Sequence, residues 1–517
     1  MWALFYRSDL RVIAHYLGSI ILFMGVLMIV PLLVSIGFQE WEVSAHYVLG
    51  IGFALLAGAL LRLAKVSKGH IERRQAIAVT GLIWIAGAFF AAIPLWFSGH
   101  YGSFLDAFFE GVSGLTATGM TLVQDLDHMS MADNMWRFTL QLLGGQGVVV
   151  VAMALGIFTQ IGTSFYQAEG RNEPIVPSVV KTARFIWAFS STIVFIGTVV
   201  LAITLLTVGM EPARSLFHGL WLTIGSYDTG GFAPQSSSIM YYHSWLLEAI
   251  IMVFMCLGAI NFALYAQIHR GNWREFLRDI EVKTLGIWTL IMVLAFIAAL
   301  CAGTYLTDMT SLLRRGLFTI ISATTNAGYQ VLTTNQITTM FSSGAFFLIA
   351  IAMSVGGSTG STAGGIKALR VGIIFKGFVM RTKQVLLPSS AQMNTQYHHI
   401  GQHLLSTRLL SSALVIAALY VVTYVVGALV GIACGYDAIP AIFDSISATS
   451  NAGLSGGVAT PDAPIPLKVI YLIQMWVGRL EFLTLLALAT SFIVSVKPHR
   501  RIKPQRTHLN ENGGDAQ

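Results

Sequence analysis

Charge is what this chain has least of. Asp, Glu, Lys and Arg make up 11% of its 517 residues, against roughly 25% in ordinary soluble domains. A soluble chain longer than about 250–300 residues splits into domains, each needing its own polar surface, and this composition cannot supply them. Hydrophobic residues reach 55% and mean hydropathy is +0.70. Disorder and a cytosolic enzyme are excluded, which leaves an integral membrane protein. Cysteine is equally scarce. Cys256, Cys301 and Cys434 all lie in apolar stretches, where a free thiol behaves as a small hydrophobe. They form neither a disulfide framework nor a metal-ligand spacing.

Chemical motifs are sparse too. No Ser/His/Asp order or paired-carboxylate spacing stands out, so nothing points to an enzyme. The 13 histidines are scattered, and the adjacent pair His398–His399 reads as solvated loop residues rather than a transition-metal site. The run GGSTGSTAGGIK comes near the phosphate-binding pattern G-x-x-x-x-G-K-[ST]. Ile366 stands in the lysine's place, however, and no strand precedes the run.

Apolar runs are present in abundance. A spanning helix needs about 20 mostly apolar residues, and ten stretches qualify: 13–37, 44–65, 76–97, 135–160, 184–209, 244–268, 284–306, 343–378, 408–434 and 467–495. The first is too long for a cleaved signal peptide and lacks a small-residue cleavage site. With ten spans both termini lie on one side, and 25 of the 31 Lys and Arg fall on that side. The positive-inside rule therefore predicts cytoplasmic N- and C-termini. The basic pI of 9.3 then reflects topology, with no nucleic-acid partner. The segment after Val496 reads as a solvated cytosolic tail.

Four loops on the outer side carry one cassette: SGLTATGM (113–120), GSYDTGGF (225–232), SATTNAGY (322–329) and SATSNAGL (447–454). Each begins with a small residue, has Thr, Ser or Asp fourth, glycine seventh and an apolar residue last. The shared glycines are Gly119, Gly231, Gly328 and Gly453. A second glycine follows each one in phase: Gly144, Gly258, Gly356 and Gly478. The apolar segments before the cassettes (103–116, 212–227, 311–324 and 437–449) are too short to cross a bilayer, so they must enter and turn back. Four such turns around one axis would present a ring of backbone carbonyls, the physical basis of a cation filter. The half-helices would aim their partially negative C-terminal ends at the same cavity. The plainer alternative is four helix-capping turns in an ordinary glycine-rich transporter.

These residues resemble the Trk/Ktr/HKT superfamily of potassium transporters, in its TrkH-like branch, over residues 1–497. The resemblance implies an all-α integral membrane protein with ten spanning helices and four re-entrant pore half-helices. These form four membrane–pore–membrane repeats with pseudo-four-fold symmetry, preceded by two extra helices. The chain then divides into a two-helix addition (1–74), pore repeats at 75–183, 184–282, 283–404 and 405–496, and a tail (497–517). The implied filter comprises Ala117, Thr118 and Gly119; Thr229, Gly230 and Gly231; Asn326, Ala327 and Gly328; and Asn451, Ala452 and Gly453. K⁺ is the implied transported ion, with no covalently bound cofactor. The second repeat departs from the others by placing Asp228 in its cassette, and its half-helix looks longer.

The resemblance also implies a gate. The run Gly356, Gly357, Ser358, Thr359, Gly360, Ser361, Thr362, Ala363, Gly364 and Gly365 matches an intramembrane loop interrupting the third repeat's second helix. Arg479 matches an arginine facing that loop. Independently, an arginine in mid-helix costs about 2.5–3.5 kcal/mol on insertion scales, so it seeks an interior partner. Snorkelling, or pairing with Glu481 or a loop carbonyl, is the alternative. Glu248 reads equally as a proton or Na⁺ relay and as a buried acid near the outer interface. The family implies K⁺ uptake across a bacterial inner membrane by a homodimer in membrane lipid. The dimer would dock on a cytosolic RCK-type, TrkA-like nucleotide-binding regulatory subunit. Na⁺- or H⁺-coupled symport, a Na⁺-permeable member, and the ion-binding subunit of an ATP-driven K⁺ pump are the rival readings.

Overall fold

The computed structural model describes residues 7–64, 66, 71–154, 178–302, 309–332, 336, 342–386 and 395–496. The tail from 497, and parts of the basic loops at 62–74, 171–184 and 367–408, lie outside the described residues. The described chain is almost wholly helical. Two short strand pairs, Val355–Gly356 with Ile366–Lys367 and Gln396–His398 with Gln402–Leu404, are its extended segments.

Among the described residues, six helices are long and apolar enough to cross a membrane, and three sharply bent pairs bring the number to nine. Their outer faces expose large apolar side chains such as Leu33, Leu56, Phe195, Leu294 and Leu429, as lipid contact requires. Serines start many of the helices. Ser130, Ser244 and Ser342 each accept the N–H three residues on, at 2.9, 3.4 and 3.2 Å, which satisfies one of the otherwise unpaired first-turn donors.

The sequence reading takes 135–160, 244–268 and 467–495 as unbroken spans, and the structure corrects this. Met131–Gln146 turns by 87° into Val148–Ala154, Trp245–Gly258 by 94° into Phe262–His269, and Ile465–Arg479 by 111° into the next helix. The run 343–378 is split into Ser343–Ser354 and Ala368–Leu386 by residues 355–367, where the sequence predicts an interrupting loop. Each break falls within about one turn of Gly144, Gly258, Gly356 or Gly478. Three of these glycines press on the last turn of a half-helix. A Cβ would lie 1.9 Å from the carbonyl of Leu115 on Gly144, of Tyr227 on Gly258 and of Thr449 on Gly478. The new direction is then fixed locally, by Gly147 at φ 89°, by Asn261 capping the N–H of Ala263 at 2.9 Å, and by Glu481 and Phe482 at φ 53° and 65°.

Four half-helices sit inside this frame: Phe104–Leu115, Pro212–Tyr227, Met309–Thr324 and Ala438–Thr449. The second and third have 16 residues each and the other two 12. Each packs on the long helix before it and on the bent or split helix after it. Each such later helix also touches the half-helix of another unit: Met131–Gln146 against Pro212–Tyr227, Trp245–Gly258 against Met309–Thr324, Ser343–Ser354 against Ala438–Thr449, and Ile465–Arg479 against Phe104–Leu115. The contacts close a circle. The two N-terminal helices pack on the first unit, meeting each other where Gly18 faces Gly58 and Gly25 faces Ala54; such small-residue contacts let membrane helices approach closely.

Candidate functional site

All four half-helices end in the same hydrogen-bonded turn. The N–H groups of Thr118, Gly230, Ala327 and Ala452 reach back five residues to Ser113, Gly225, Ser322 and Ser447, at 2.9, 2.9, 3.0 and 2.9 Å. The residues just before them, Ala117, Thr229, Asn326 and Asn451, reach back three residues and take φ of 50°, 48°, 55° and 51°. This is the Schellman cap, whose left-handed position favours Gly and then Asn. The third and fourth turns carry Asn there. Ala117 and Thr229 hold it at a backbone cost on the order of 1–3 kcal/mol, supplied by the surrounding packing. The capping alternative raised by the sequence thus describes the turns' hydrogen bonding, yet their arrangement goes further.

Two residues beyond each left-handed position, Gly119, Gly231, Gly328 and Gly453 return to φ of 90°, 69°, 81° and 78°. The residue between them stays at negative φ. Alternating handedness turns successive N–H groups to one side of the chain, and here N–H groups at the start of each turn are taken up by the capping bonds. The four turns meet edge to edge. A Cβ on Gly119 would lie 2.2 Å from the carbonyl oxygen of Gly230, one on Gly231 2.3 Å from Ala327, one on Gly328 2.2 Å from Ala452, and one on Gly453 2.1 Å from Thr118. The contacts run once around and close on themselves. All twelve residues singled out in the cassettes are thereby brought together, and the four glycines line a shared cavity of about 290 Å³. Gly230 differs from its counterparts, because its carbonyl also accepts a hydrogen bond from Gln141 Nε2.

Side chains of the turns themselves brace the ring against one another and against neighbouring helices. Asn451 Nδ2 donates to Thr118 Oγ1 and to the Met475 carbonyl, both at 2.9 Å, and Asn326 Nδ2 donates to the Met353 carbonyl at 2.8 Å. Two acids missed in the sequence hold the chain just past the first and fourth turns. Glu110 accepts from Leu122 N at 3.3 Å and from Thr121 Oγ1 at 3.1 Å, and pairs with Arg137 at 2.8 Å with both side chains fully buried. Asp444 accepts from the backbone N–H groups of Gly456, Val458 and Ala459. Both acids stand nine residues before their cassette glycine, a register that alignment of the repeats could have exposed.

On the other side of the ring lies the loop between the strands Val355–Gly356 and Ile366–Lys367. Ser358 N donates to the Ala259 carbonyl at 2.8 Å and Thr362 N to the Gly258 carbonyl at 3.2 Å, so Ser358 and Thr362 are held to the break in the second unit. The Thr362 hydroxyl lies 3.0 Å from the carbonyl of Tyr227 and 3.2 Å from the Thr229 hydroxyl. A Cβ on Gly364 would lie 2.1 Å from the Ser450 carbonyl, and one on Gly356 2.4 Å from Asn326 Oδ1. Gly357, Gly360, Ser361, Ala363 and Gly365 complete the loop, with Gly360 and Gly365 at φ 71° and 67°. Thr359 N donates to Glu281 Oε1 at 2.6 Å.

Arg479, expected in mid-helix, is instead the last residue of its helix. Its guanidinium donates to the Thr362 carbonyl at 2.8 Å and to the carbonyls of Gly144 and Gly145, and stacks over Trp84. Glu481 bonds Arg370 instead. Glu248 is buried, and its carboxylate accepts two hydrogen bonds from Arg314, at 2.5 and 2.6 Å. Asp228 is fully buried and accepts from Gln146 Nε2 at 2.5 Å, with Ser190 Oγ donating in turn to Gln146 Oε1 at 2.7 Å.

Comparison with known proteins gives this arrangement its context. Residues 44–496 match the family described as TrkH, cation transport protein. An uncharacterised cation transporter of Methanocaldococcus jannaschii is 30% identical over 93% of this chain and 96% of its own. The Trk system potassium uptake protein TrkG of Escherichia coli is 27% identical over 94% of this chain and 99% of its own. The crystal structure of the potassium transporter TrkH from Vibrio parahaemolyticus superposes with a TM-score of 0.79 at 24% identity, covering 92% of this chain and 98% of that one.

Proposed function

This chain belongs to the TrkH family of cation transport proteins, and from that premise we propose that it takes up K⁺ through the ring formed by the four cassettes. The single observation that carries this reading is the closed circuit of contacts from Gly119 to Gly230, Gly231 to Ala327, Gly328 to Ala452 and Gly453 to Thr118. Carbonyls gathered from four chain segments can replace the hydration shell of a monovalent cation. Ala117, Thr229, Asn326 and Asn451 set the turns, and the two residues after each of them supply the carbonyls of Thr118, Gly230, Ala327 and Ala452 and the close-packed glycines Gly119, Gly231, Gly328 and Gly453.

In this reading the chain comprises four repeats of span, half-helix and second span around the pore, ten spans in all, with the divisions given above and both termini cytoplasmic. Residues 356–365 obstruct the path beneath the ring, and Arg479 latches them. The bonds of Thr362 to the second unit and of Arg479 to Thr362 support the gate. The setting is the inner membrane of a bacterium, with a homodimer bound to a cytosolic nucleotide-binding subunit.

Coupled symport on the same scaffold is the second reading, and one observation favours it. Asp228 is a buried carboxylate at the second turn, hydrogen-bonded through Gln146 to Ser190, at the position where the other three turns have the hydroxyl residues Thr116, Thr325 and Ser450. Flux of K⁺, Na⁺ and Rb⁺ into liposomes, with and without an imposed proton gradient, separates the two. A passive pore equilibrates K⁺ and prefers it to Na⁺; accumulation driven by the proton gradient overturns the passive reading. Absence of K⁺ flux overturns both.

A further inference from the structure

The histidine pair read as solvated loop residues is partly buried by the fold. Residues 396–404 form a short antiparallel hairpin, and it lays His399 against the start of the helix Ile280–Ala302. His399 is 4% exposed, while Asp279 and Glu281 are fully buried. His399 Nδ1 lies 2.9 Å from Asp279 Oδ2 and 3.9 Å from Glu281 Oε2. One ligand atom from each residue lies within 4.8 Å of the other two. The three residues come from segments 120 positions apart, so the cluster exists only in the folded chain.

Two carboxylates side by side in a buried place repel each other and lose hydration, which is costly unless a cation compensates. Among the described residues, no lysine or arginine forms an ion pair with either acid. A divalent cation would balance both charges at once. We propose that Asp279, Glu281 and His399 form a binding site for a first-row divalent transition cation, of which Zn²⁺ is the probe. One imidazole and two carboxylates are a donor set such cations accept. Ligand distances of about 2.0–2.2 Å tolerate donors separated by 2.9 and 3.9 Å, as observed here.

The surrounding bonds hold the donors in place and say what the site controls. Glu281 N donates to Asp279 Oδ1 at 2.8 Å, which orients one carboxylate, and His403 Nε2 lies 3.0 Å from the His399 carbonyl. Glu281 uses its other oxygen, Oε1, to hold Thr359 N of the loop, and Asn261 Nδ2 approaches Oε2 at 3.3 Å. A cation on Oε2 would tie the hairpin to the loop through one carboxylate. This consequence for transport rests on the loop being the gate; the site itself does not.

The test uses the full chain, purified in lipid nanodiscs, stripped with a chelator and titrated with Zn²⁺. Wild type should bind one Zn²⁺ per chain. Asp279→Asn and His399→Ala should each weaken binding by roughly tenfold or more, while His128→Ala, an exposed histidine outside the cluster, should bind as wild type. Failure of wild type to take up Zn²⁺ overturns the site without reliance on any variant, as does wild-type affinity in both cluster variants. In liposomes Zn²⁺ should lower K⁺ flux through wild type and leave His399→Ala unaffected. Unchanged wild-type flux with Zn²⁺ bound overturns the tie to the loop. A chain that binds Zn²⁺ but passes no K⁺ overturns the transport reading and supports the site.

Discussion

Arg479 donates through Nη1 to the carbonyl of Thr362 at 2.8 Å, and its Nη2 reaches the carbonyls of Gly144 and Gly145. One guanidinium therefore binds the loop beneath the ring to the break in the first unit. Arginine is suited to this because its planar fork serves several acceptors at once, which a lysine ammonium at the same place does not reproduce.

Removing that fork should release the loop. If the loop is the gate proposed above, Arg479→Ala, or deletion of Gly357–Ala363, should raise basal K⁺ flux in liposomes, because each removes part of the loop or its latch and leaves the ring carbonyls in place. Arg479→Lys should leak to an intermediate degree. If Arg479→Ala and the deletion both fold and conduct less than wild type, the loop belongs to the conducting path and is not its gate.

The ring predicts a different response to substitution at its glycines. Gly119 sits at φ 90° with its missing Cβ aimed at the Gly230 carbonyl, 2.2 Å away. Gly119→Ser must displace that carbonyl or rotate its own turn, and it adds a hydroxyl to the ring. The Na⁺/K⁺ permeability ratio should rise. A ratio equal to wild type would remove Gly119 from the filter.

Glu110 and Arg137 give a stability prediction. Both are fully buried and paired at 2.8 Å, so Glu110→Ala strands a buried guanidinium, a change that typically costs about 3–5 kcal/mol. The melting temperature in detergent should fall clearly, and Glu110→Ala combined with Arg137→Met should recover part of the loss. Asp444→Ala should also destabilise, since it leaves the N–H groups of Gly456, Val458 and Ala459 without their common acceptor. If the double variant is no more stable than Glu110→Ala, the loss comes from the bonds of Glu110 to Thr121 and Leu122 rather than from the stranded charge.

The half-helices were readable from the sequence to within a few residues, because a short apolar run ending at a recurrent glycine has few alternatives in a bilayer. Their contacts with one another were not readable. That Gly119 meets Gly230, or that Asn451 reaches Thr118, depends on how separate units pack, and no local pattern encodes it. The breaks after Gly144, Gly258 and Gly478 were missed because hydropathy stays high across a bend. Val148–Ala154 is more apolar than the helix it leaves, so the run reads on without a break. Arg479 was singled out by its charge in an apolar run, yet its position at a helix end emerged only with the break. His399 was misjudged for the opposite reason: composition marks 395–406 as a polar loop, and only the hairpin's docking buries it.

A basic surface flanks the second unit. Arg270, Arg274 and Arg278 follow the bent second unit and are exposed, on and beside the short helix Trp273–Arg278. That helix leads directly into Asp279 and Glu281, and Glu281 holds Thr359 of the loop at 2.6 Å. A partner docked there would therefore sit one helix turn from a side chain that contacts the loop 356–365, so a shift of Trp273–Arg278 need not travel far to act on the proposed gate. Such coupling requires that the partner bind the open and closed forms with different affinity. A cytosolic nucleotide-binding subunit with an acidic docking face meets the charge requirement, and its binding should weaken as salt screens the contact. Reversing the three charges together, Arg270→Glu, Arg274→Glu and Arg278→Glu, should weaken assembly in a pull-down with that subunit while leaving the Na⁺/K⁺ permeability ratio unchanged, because none of the three lies near the ring. Full assembly by the triple variant, or nucleotide-regulated flux from the purified chain alone, would show that regulation enters elsewhere.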